Sequence, residues 1–244
     1  MTRSYTIALD GSTYQGSVAI LRDSEVVAER SLGREAGSGK GEAGSGKREA
    51  GSGKGEGGRG DALMPAIAEC LKDAGVKRDA IARIVCGAGP GSFTSLRVAG
   101  SVAKGLAVGY GVDLYAVSSL ILTVAGAGPT LPAGEYLSVL DAMRGEYYAA
   151  RVALLSDQTV IEREGTILIS ADELKELAQR EPLVELVGPG QRLDYHPHAR
   201  GVAALLKSVL DQGPVDLAAW EPDYGRLAEA QVRWEAAHGR PLEG

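Results

Sequence analysis

The first thirty residues alternate between short apolar runs and tight polar turns. Apolar, β-prone runs cover residues 5–9, 16–21 and 25–30, and Asp, Gly and Ser are prominent in the turns between them. Runs of about four to eight such residues, bounded by turn residues, are typical of neighbouring β-strands. The pattern therefore predicts a three-stranded meander that opens an α/β domain.

A helical spacing of apolar positions begins just after residue 60. The residues that share one face of this predicted helix are Leu63, Ile67, Cys70, Leu71 and Ala74. Spacings of three and four residues are those of an amphipathic helix, which Asp61 would cap and Gly75 would end. Further on, the pattern predicts strands at 81–86 and 113–117, a helix from about 94 to 110, and a helix capped by Ser118 and Ser119.

The second half of the chain repeats this mixture of elements. Strands are predicted at 136–140, at 147–155, near Ile167 and at 183–187, helices at 171–179 and 199–211, and a polar tail helix at 225–237. We expect a first lobe at 1–118, a second lobe at 119–221 and a terminal helix at 222–244.

Residues 33–60 differ in kind from the rest. The units REAGSGK, GEAGSGK and REAGSGK follow one another between Arg34 and Lys54, without a large apolar side chain. Residues 41–47 fit most of a P-loop, but Arg48 stands where Ser or Thr would bind magnesium, and no apolar pattern of a helix follows for about a dozen residues. The segment therefore predicts a flexible repeat insertion within the first lobe.

Composition narrows the classes of function. The net charge of −6 excludes a broad basic surface for nucleic acid, although a local basic patch stays open. No apolar run approaches the length of a membrane span, and the N-terminus has no long apolar stretch, so we expect a soluble cytoplasmic protein. The two cysteines, Cys70 and Cys86, are expected to be small buried apolar residues.

Two segments carry candidate phosphate chemistry. In the first, the strand 5–9 ends in Asp10, Gly11, Ser12 and Thr13, and the side chains of Asp10, Ser12 and Thr13 are the candidate ligands of a phosphate or metal. Backbone amides and hydroxyls in such a turn donate to phosphate oxygens. A hydroxyl-rich hairpin turn explains the same residues, and the residues alone leave both interpretations open.

The second segment is a glycine-rich turn after the strand 81–86. Residues 86–97 read CGAGPGSFTSLR and lead into a helix that Thr94 or Ser95 can cap. The amides of such a turn and of a helix N-terminus attract anions. The candidate phosphate-binding residues are Gly89, Gly91, Ser92, Thr94 and Arg97. The alternative is a purely structural connection with Phe93 buried in the core.

These motifs resemble those of the TsaB (YeaZ) family. The segment GPGSFT-x-LR, with AKGLA at 103–107, is similar to that family's signature. Further similar segments are Ile7–Asp10, Val117–Leu120, Leu140–Tyr147 and Pro222–Glu229, so the resemblance covers nearly the whole chain except 33–60. Ser95 and Met143 depart from the family pattern, and the loss of a basic side chain at Met143 weakens an anion contact there.

The resemblance implies an α/β chain with the two-lobed actin-like (RNase H-like, ASKHA) fold. It implies a non-catalytic subunit that supports a TsaD-like transferase, together with a TsaE-like ATPase, in making threonylcarbamoyladenosine next to the anticodon of tRNAs reading codons that begin with A. Contact with tRNA would be indirect, through the complex. ATP or ADP with Mg would bind, if at all, at a joint interface, and a homodimer would form without the partner.

Catalytic residues are hard to find in the sequence. The resemblance implies an H-x-x-x-H metal pair on the early helix of the catalytic relative, whereas residues 61–74 contain no histidine. His196 and His198 form a pair that we expect on a surface loop, and no metal site is predicted. The rival functions are a phosphotransferase or ATPase, for which 141–145 and 188–190 are poor second and third loops, and a peptidase, which lacks a nucleophile–base pair.

The helices at 61–75 and 94–110 are the predicted partner surface. The residues assigned to it are Leu63, Ile67, Leu71, Ala99, Gly100, Ala103, Leu106 and Ala107. Small residues on a helix allow a second helix to approach closely. The alternative is that the same residues pack against the chain's own sheet.

Overall fold

The computed structural model describes residues 3–32, 62–181 and 183–225. The repeat at 33–60, the predicted cap Asp61 and all but the first residue of the predicted tail helix lie outside these ranges. In the described ranges the strands are β1 Tyr5–Asp10, β2 Ser17–Arg22, β3 Glu25–Ser31, β4 Ile81–Gly87, β5 Asp113–Val117, β6 Gly134–Asp141, β7 Glu146–Leu154, β8 Val160–Ser170 and β9 Val184–Val187. The α-helices are α1 Leu63–Asp73, α2 Phe93–Tyr110, α3 Ser119–Ala127, α4 Ala171–Arg180 and α5 Val202–Asp211.

The first sheet confirms the predicted meander and extends it. Its strand order is β3-β2-β1-β4-β5, with β1, β2 and β3 antiparallel and with β4 parallel to both β1 and β5. Successive side chains point to opposite faces, so Ile7 and Leu9 pack toward α1 and α2 while Ala8 packs toward α3 and α5. Burial on both faces explains the nearly continuous apolar run of β1.

The second sheet has four strands in the order β8-β7-β6-β9. Helix α4 covers one face through Leu174 and Leu177, which pack on residues of β6, β7 and β9. Ser170 begins this helix with a capping box to Glu173, so its start is set locally by the sequence. Strand β8, which was predicted near Ile167, spans eleven residues and occupies an edge, where most of its side chains are exposed.

A shared core connects the two sheets. Helix α3 is apolar nearly all round and buried along most of its length, and with α5 it joins Ala8 and Leu21 of the first sheet to Val152 and Leu154 of the second. Helices of this kind belong in a protein interior. The division into two lobes stays a prediction, since one core cluster includes residues of both sheets.

The end of the described chain departs from the predicted boundaries. Val215, Leu217 and Trp220 were expected in the second lobe, but they pack on the core beneath α2 because the chain passes around the edge strand β5. Residues 222–225 were expected to begin a helix, but they are not helical. Within the described residues, no helix combines the length and the apolar character needed to cross a membrane.

Candidate functional site

The carboxylate of Asp10 lies at the end of β1 and is completely buried. Its Oδ1 accepts hydrogen bonds from the backbone amide of Ser12 (3.0 Å) and from the Ser12 hydroxyl (2.7 Å). Its Oδ2 accepts a hydrogen bond from the Ser119 hydroxyl at 2.6 Å. Burial raises the pKa of Asp10, and the hydrogen bonds from Ser119 and Ser12 oppose that rise because they favour the charged form.

Ser119 connects this carboxylate to the glycine-rich turn. Its hydroxyl oxygen accepts the backbone amide of Gly89 at 3.1 Å, and its own amide donates to the Gly89 carbonyl at 2.8 Å. The sequence predicted Ser119 only as a helix cap, but Ser118 occupies the cap position and makes no side-chain capping bond. The signal that could have revealed Ser119 is its place just after β5, since β5 runs parallel to β4 and β1 and ends at the same edge of the sheet.

The two candidate phosphate loops are in direct contact with each other. The backbone amide of Ser92 donates to the carbonyl of Ser12 at 2.7 Å, and Gly91 lies so close to Ser12 that a β-carbon would overlap it. Gly87 lies equally close to the carboxylate of Asp10. The space that two such loops would need to surround a phosphate is filled by the loops themselves.

A shallow cleft remains beside this closed turn. Its volume is about 30 Å³, and Thr13, Tyr14, Ser95 and Val98 are among the residues that line it. A cleft of that volume has room for about two water molecules. It is too small to hold a nucleotide.

The candidate phosphate residues divide into two groups. Asp10, Ser12, Gly89, Gly91 and Ser92 meet around the closed turn. Thr13 bonds within its own turn, to the backbone of Gln15, and Thr94 and Arg97 are exposed at the start of α2.

The start of α2 also corrects two local predictions. The helix begins at Phe93, one residue before Thr94, and Ser92 occupies the cap position without a side-chain capping bond. Phe93 is 43% exposed and is not in the core; its ring packs on Tyr224 at 4.5 Å, and the Arg97 guanidinium lies 5.3 Å from its centre.

The two further loops proposed for a phosphotransferase are closed by their own residues. Asp141 accepts the amide of Met143 at 2.7 Å, which shapes the turn between β6 and β7. Gly190 donates its amide to Asp194 at 2.9 Å. Both arrangements are local turns in which the acidic side chain accepts a backbone amide of its own loop.

The structure corrects the residues chosen for the partner surface. Ala99, Ala103 and Ala107 are fully buried, and Leu63 and Ile67 are nearly so, because these side chains pack on the first sheet. The remaining residues of that prediction are also covered: Leu106 is buried, Leu71 is partly buried, and Gly100 faces Pro222 and Trp220.

Different residues lie on the outside of the same two helices. We call this surface the outer helix face; it consists of Met64 and Ala68 on α1 and of Thr94, Arg97, Ser101, Gly105 and Val108 on α2. Met64 is 49% exposed and Val108 is 71% exposed. The members on α2 recur every three or four residues and therefore form one stripe.

The histidine pair is only partly at the surface. His198 is buried, where its Nε2 lies 3.1 Å from the Ser31 hydroxyl and its Nδ1 accepts the amide of Arg200. Burial and the neighbouring Arg200 lower the pKa of His198 to about 4. No three His, Cys, Asp or Glu side chains gather as a metal site in the part of the chain that the structure describes. Cys70 and Cys86 are buried and free, as predicted.

Comparison with known proteins identifies the family. A family model described as TsaD, tRNA N6-adenosine threonylcarbamoyltransferase, matches residues 60–191, more than half of the 244-residue chain. The tRNA threonylcarbamoyladenosine biosynthesis protein TsaB of Bacillus subtilis is 27% identical over 250 residues, which cover 93% of this chain and 96% of that protein. The protein of the same name from Escherichia coli is 34% identical over 88 residues, 36% of this chain and 38% of that protein.

Solved structures agree on the fold. YeaZ from Pseudomonas aeruginosa matches 91% of this chain and 99% of its own with a TM-score of 0.67 at 22% identity. A protein described as similar to peptidase YEAZ from the same organism matches 91% and 100% with a TM-score of 0.69 at 22% identity. The expected actin-like (ASKHA) fold is therefore confirmed. Since the family model matches more than half of its length and a TsaB relative aligns over nearly all of it, this chain belongs to the TsaD-related family and to its TsaB (YeaZ) members.

Proposed function

We propose that the chain is a non-catalytic subunit in the biosynthesis of threonylcarbamoyladenosine in tRNA. It supports a TsaD-like transferase, which modifies the adenosine next to the anticodon in tRNAs reading codons that begin with A. The family model and the names of the relatives support a role in this pathway. Since the complex works on tRNA, we expect the chain in the cytoplasm.

The closed turn around Asp10 is the observation that carries the non-catalytic part of the proposal. An acidic residue that binds metal or phosphate must present its oxygens to the ligand, and both oxygens of Asp10 are turned inward to Ser12 and Ser119. Gly91 and Ser12 fill the adjacent space. Helix α1 also contains no histidine, so it cannot supply the metal pair that the resemblance implies for the catalytic relative.

The outer helix face is the proposed docking site for the TsaD-like subunit, and for a second copy of the chain when that subunit is absent. It exposes apolar side chains at Met64 and Val108 and small residues at Ser101 and Gly105. A β-carbon on Gly105 would meet no other atom within 4 Å, so this part of α2 is open to close approach by another helix. Apolar residues among polar neighbours are typical of the centre of an interface.

Reconstitution tests the proposed role directly. The chain should be incubated with threonylcarbamoyl adenylate and tRNA alone, with a TsaD-like subunit, and with both TsaD-like and TsaE-like subunits, while the modified nucleoside is measured by mass spectrometry. We expect no modified nucleoside from the chain alone. We expect the amount formed by the TsaD-like subunit to depend strongly on the presence of the chain. Product formed by the chain alone would overturn the proposal.

Two variants in the same assay compare the proposed docking site with an exposed turn elsewhere in the chain. Asp141→Asn changes the exposed turn between β6 and β7 and should leave the stimulated rate unchanged, because Asn can still accept the amide of Met143. Val108→Arg places a charge on the most exposed apolar side chain of the outer helix face and should abolish stimulation. Equal loss of stimulation in both variants would move the docking site away from the outer helix face.

A further inference from the structure

The last described segment, Val215–Gly225, follows an unusual path, and we call it the brace. After α5 the chain passes around the edge of the first sheet, where the amide of Val215 donates to the carbonyl of Leu114 at 2.9 Å. Helix α5 belongs to the core on one face of that sheet, whereas Val215, Leu217 and Trp220 pack on the core of the other face. The brace therefore reaches the face that α1 and α2 cover.

The brace then crosses α2 and packs closely against it. Trp220 and Pro222 lie over Gly100, where a β-carbon would meet the Pro222 ring at 3.0 Å. The Lys104 ammonium group lies 5.8 Å from the centre of the Trp220 ring. The Tyr224 ring packs on Phe93. A side chain at position 100 would push the segment away from the helix.

The end of the brace contacts both sheets. The amide of Asp223 donates to the carbonyl of Ala88 at 2.7 Å, at the glycine-rich turn that follows β4 of the first sheet. The hydroxyl of Tyr148, in β7 of the second sheet, donates to the carbonyl of Tyr224 at 3.0 Å. Gly225 lies so close to the Tyr148 ring that no side chain would fit there.

These contacts join the sheets at a second place. The shared core, with α3 and α5, joins them on one face of the first sheet, and a single joint of that kind permits rotation about it. The brace joins them from the opposite face. We propose that the brace holds the two sheets at a fixed angle and thereby keeps the turn around Asp10 closed, so that the subunit is a rigid platform and not a hinged one.

Spin-label distance measurements on the isolated chain test this proposal without any partner. The labels go on Glu69→Cys in α1 and Lys175→Cys in α4, which are exposed positions outside the outer helix face, on helices packed against the first and the second sheet. The labelled chain is diluted with unlabelled chain, so that distances between copies do not contribute. The native cysteines are buried and should not react. The test variant combines Tyr148→Phe with Tyr224→Ala. The control is Tyr147→Phe. It makes the same Tyr-to-Phe change as at position 148, but on the opposite face of β7, where Tyr147 packs in the cluster under α4.

The parent and the control should each give one narrow distance distribution. The test variant should give a broader distribution with a new component at a different distance, and hydrogen exchange at the Asp223 amide should become about tenfold faster, the factor for about 1.4 kcal/mol. A folded test variant with the parent distribution and the parent exchange rate would overturn the proposal. If the test variant does not fold, Phe93→Ala decides: its exposed ring contacts the brace, and unchanged distances and exchange in that variant would equally overturn the proposal.

Discussion

The turn around Asp10 and the outer helix face are both built from segments that surround the first sheet, but they differ in burial and in polarity. At the turn, a carboxylate, two hydroxyls and backbone amides satisfy one another in the interior. On the outer helix face, Met64 and Val108 lie exposed among polar and small residues. The first region contains most of the candidate phosphate residues, and the second contains accessible side chains.

This difference shows that a sequence motif can be present although a ligand could not reach its residues. The buried network at Asp10 connects β1, the glycine-rich turn and α3, so its residues are needed for the fold whether or not they meet a ligand. Binding to a partner depends instead on exposed positions, and a few central residues usually dominate it. Substitutions in the two regions should therefore differ sharply in what they change.

The largest effect is expected for Ala103→Arg. The side chain of Ala103 is fully buried between α2 and the first sheet, so the substitution overpacks the core and buries an unpaired charge. We expect a loss of about 4 kcal/mol or more in the free energy of unfolding, measured by urea denaturation. An Ala103→Arg chain as stable as the parent would show that α2 does not pack as described and would remove the contrast between the two regions.

A smaller loss is expected for Asp10→Ala. It leaves the Ser12 amide and the hydroxyls of Ser12 and Ser119 without their acceptor in the interior, at a cost of about 3 kcal/mol. The matched control is Asp141→Ala, an exposed aspartate with one amide partner, which should cost about 1 kcal/mol or less. Equal losses of unfolding free energy in the two variants, measured by urea denaturation, would mean that the turn is more accessible to water than the structure shows.

Acid should destabilise the chain partly through His198. Its pKa is about 4 in the fold against 6.5 for the free side chain, because burial and Arg200 oppose the charge. The unfolded chain therefore binds more protons in that range, so stability is full above about pH 6.5 and falls as the pH drops through about 4, by up to about 3 kcal/mol. In His198→Asn the loss of unfolding free energy between pH 7 and pH 4.5 should be smaller than in the parent. The same pH dependence in both chains would exclude His198 as its source.

The smallest effect on stability is expected for Val108→Arg. Val108 is 71% exposed, and Arg has a good helix propensity, so the free energy of unfolding should change by about 0.5 kcal/mol or less. Binding to the TsaD-like subunit should nevertheless weaken at least tenfold in titration calorimetry, because a charge would be buried at the interface. Unchanged binding with unchanged stability would place the partner elsewhere and leave the outer helix face without a function.

Local rules were enough for most elements of this fold. The meander over β1 to β3, the helical spacing of α1 and the strand–turn–helix around residues 86–97 follow from patterns of side chains a few positions apart. The motifs around the glycine-rich turn were also enough to recognise the family. These features depend on short-range geometry, which a sequence displays directly.

Contacts between distant parts of the chain could not be read in that way. Ser119 reaches Asp10 across 109 positions, because β1 and β5 end at the same edge of the first sheet. Tyr148 reaches Tyr224 across 76 positions, because the brace brings Tyr224 to the second sheet. The direction in which a small residue on α2 points is likewise set by which face lies on the sheet, and so Ala103 is core while Gly105 is surface. The sequence by itself determined the elements, the family and the residue types at the turn. Only the tertiary structure decided which of those residues are closed off and which are free to meet a partner, since burial depends on everything that packs around a residue.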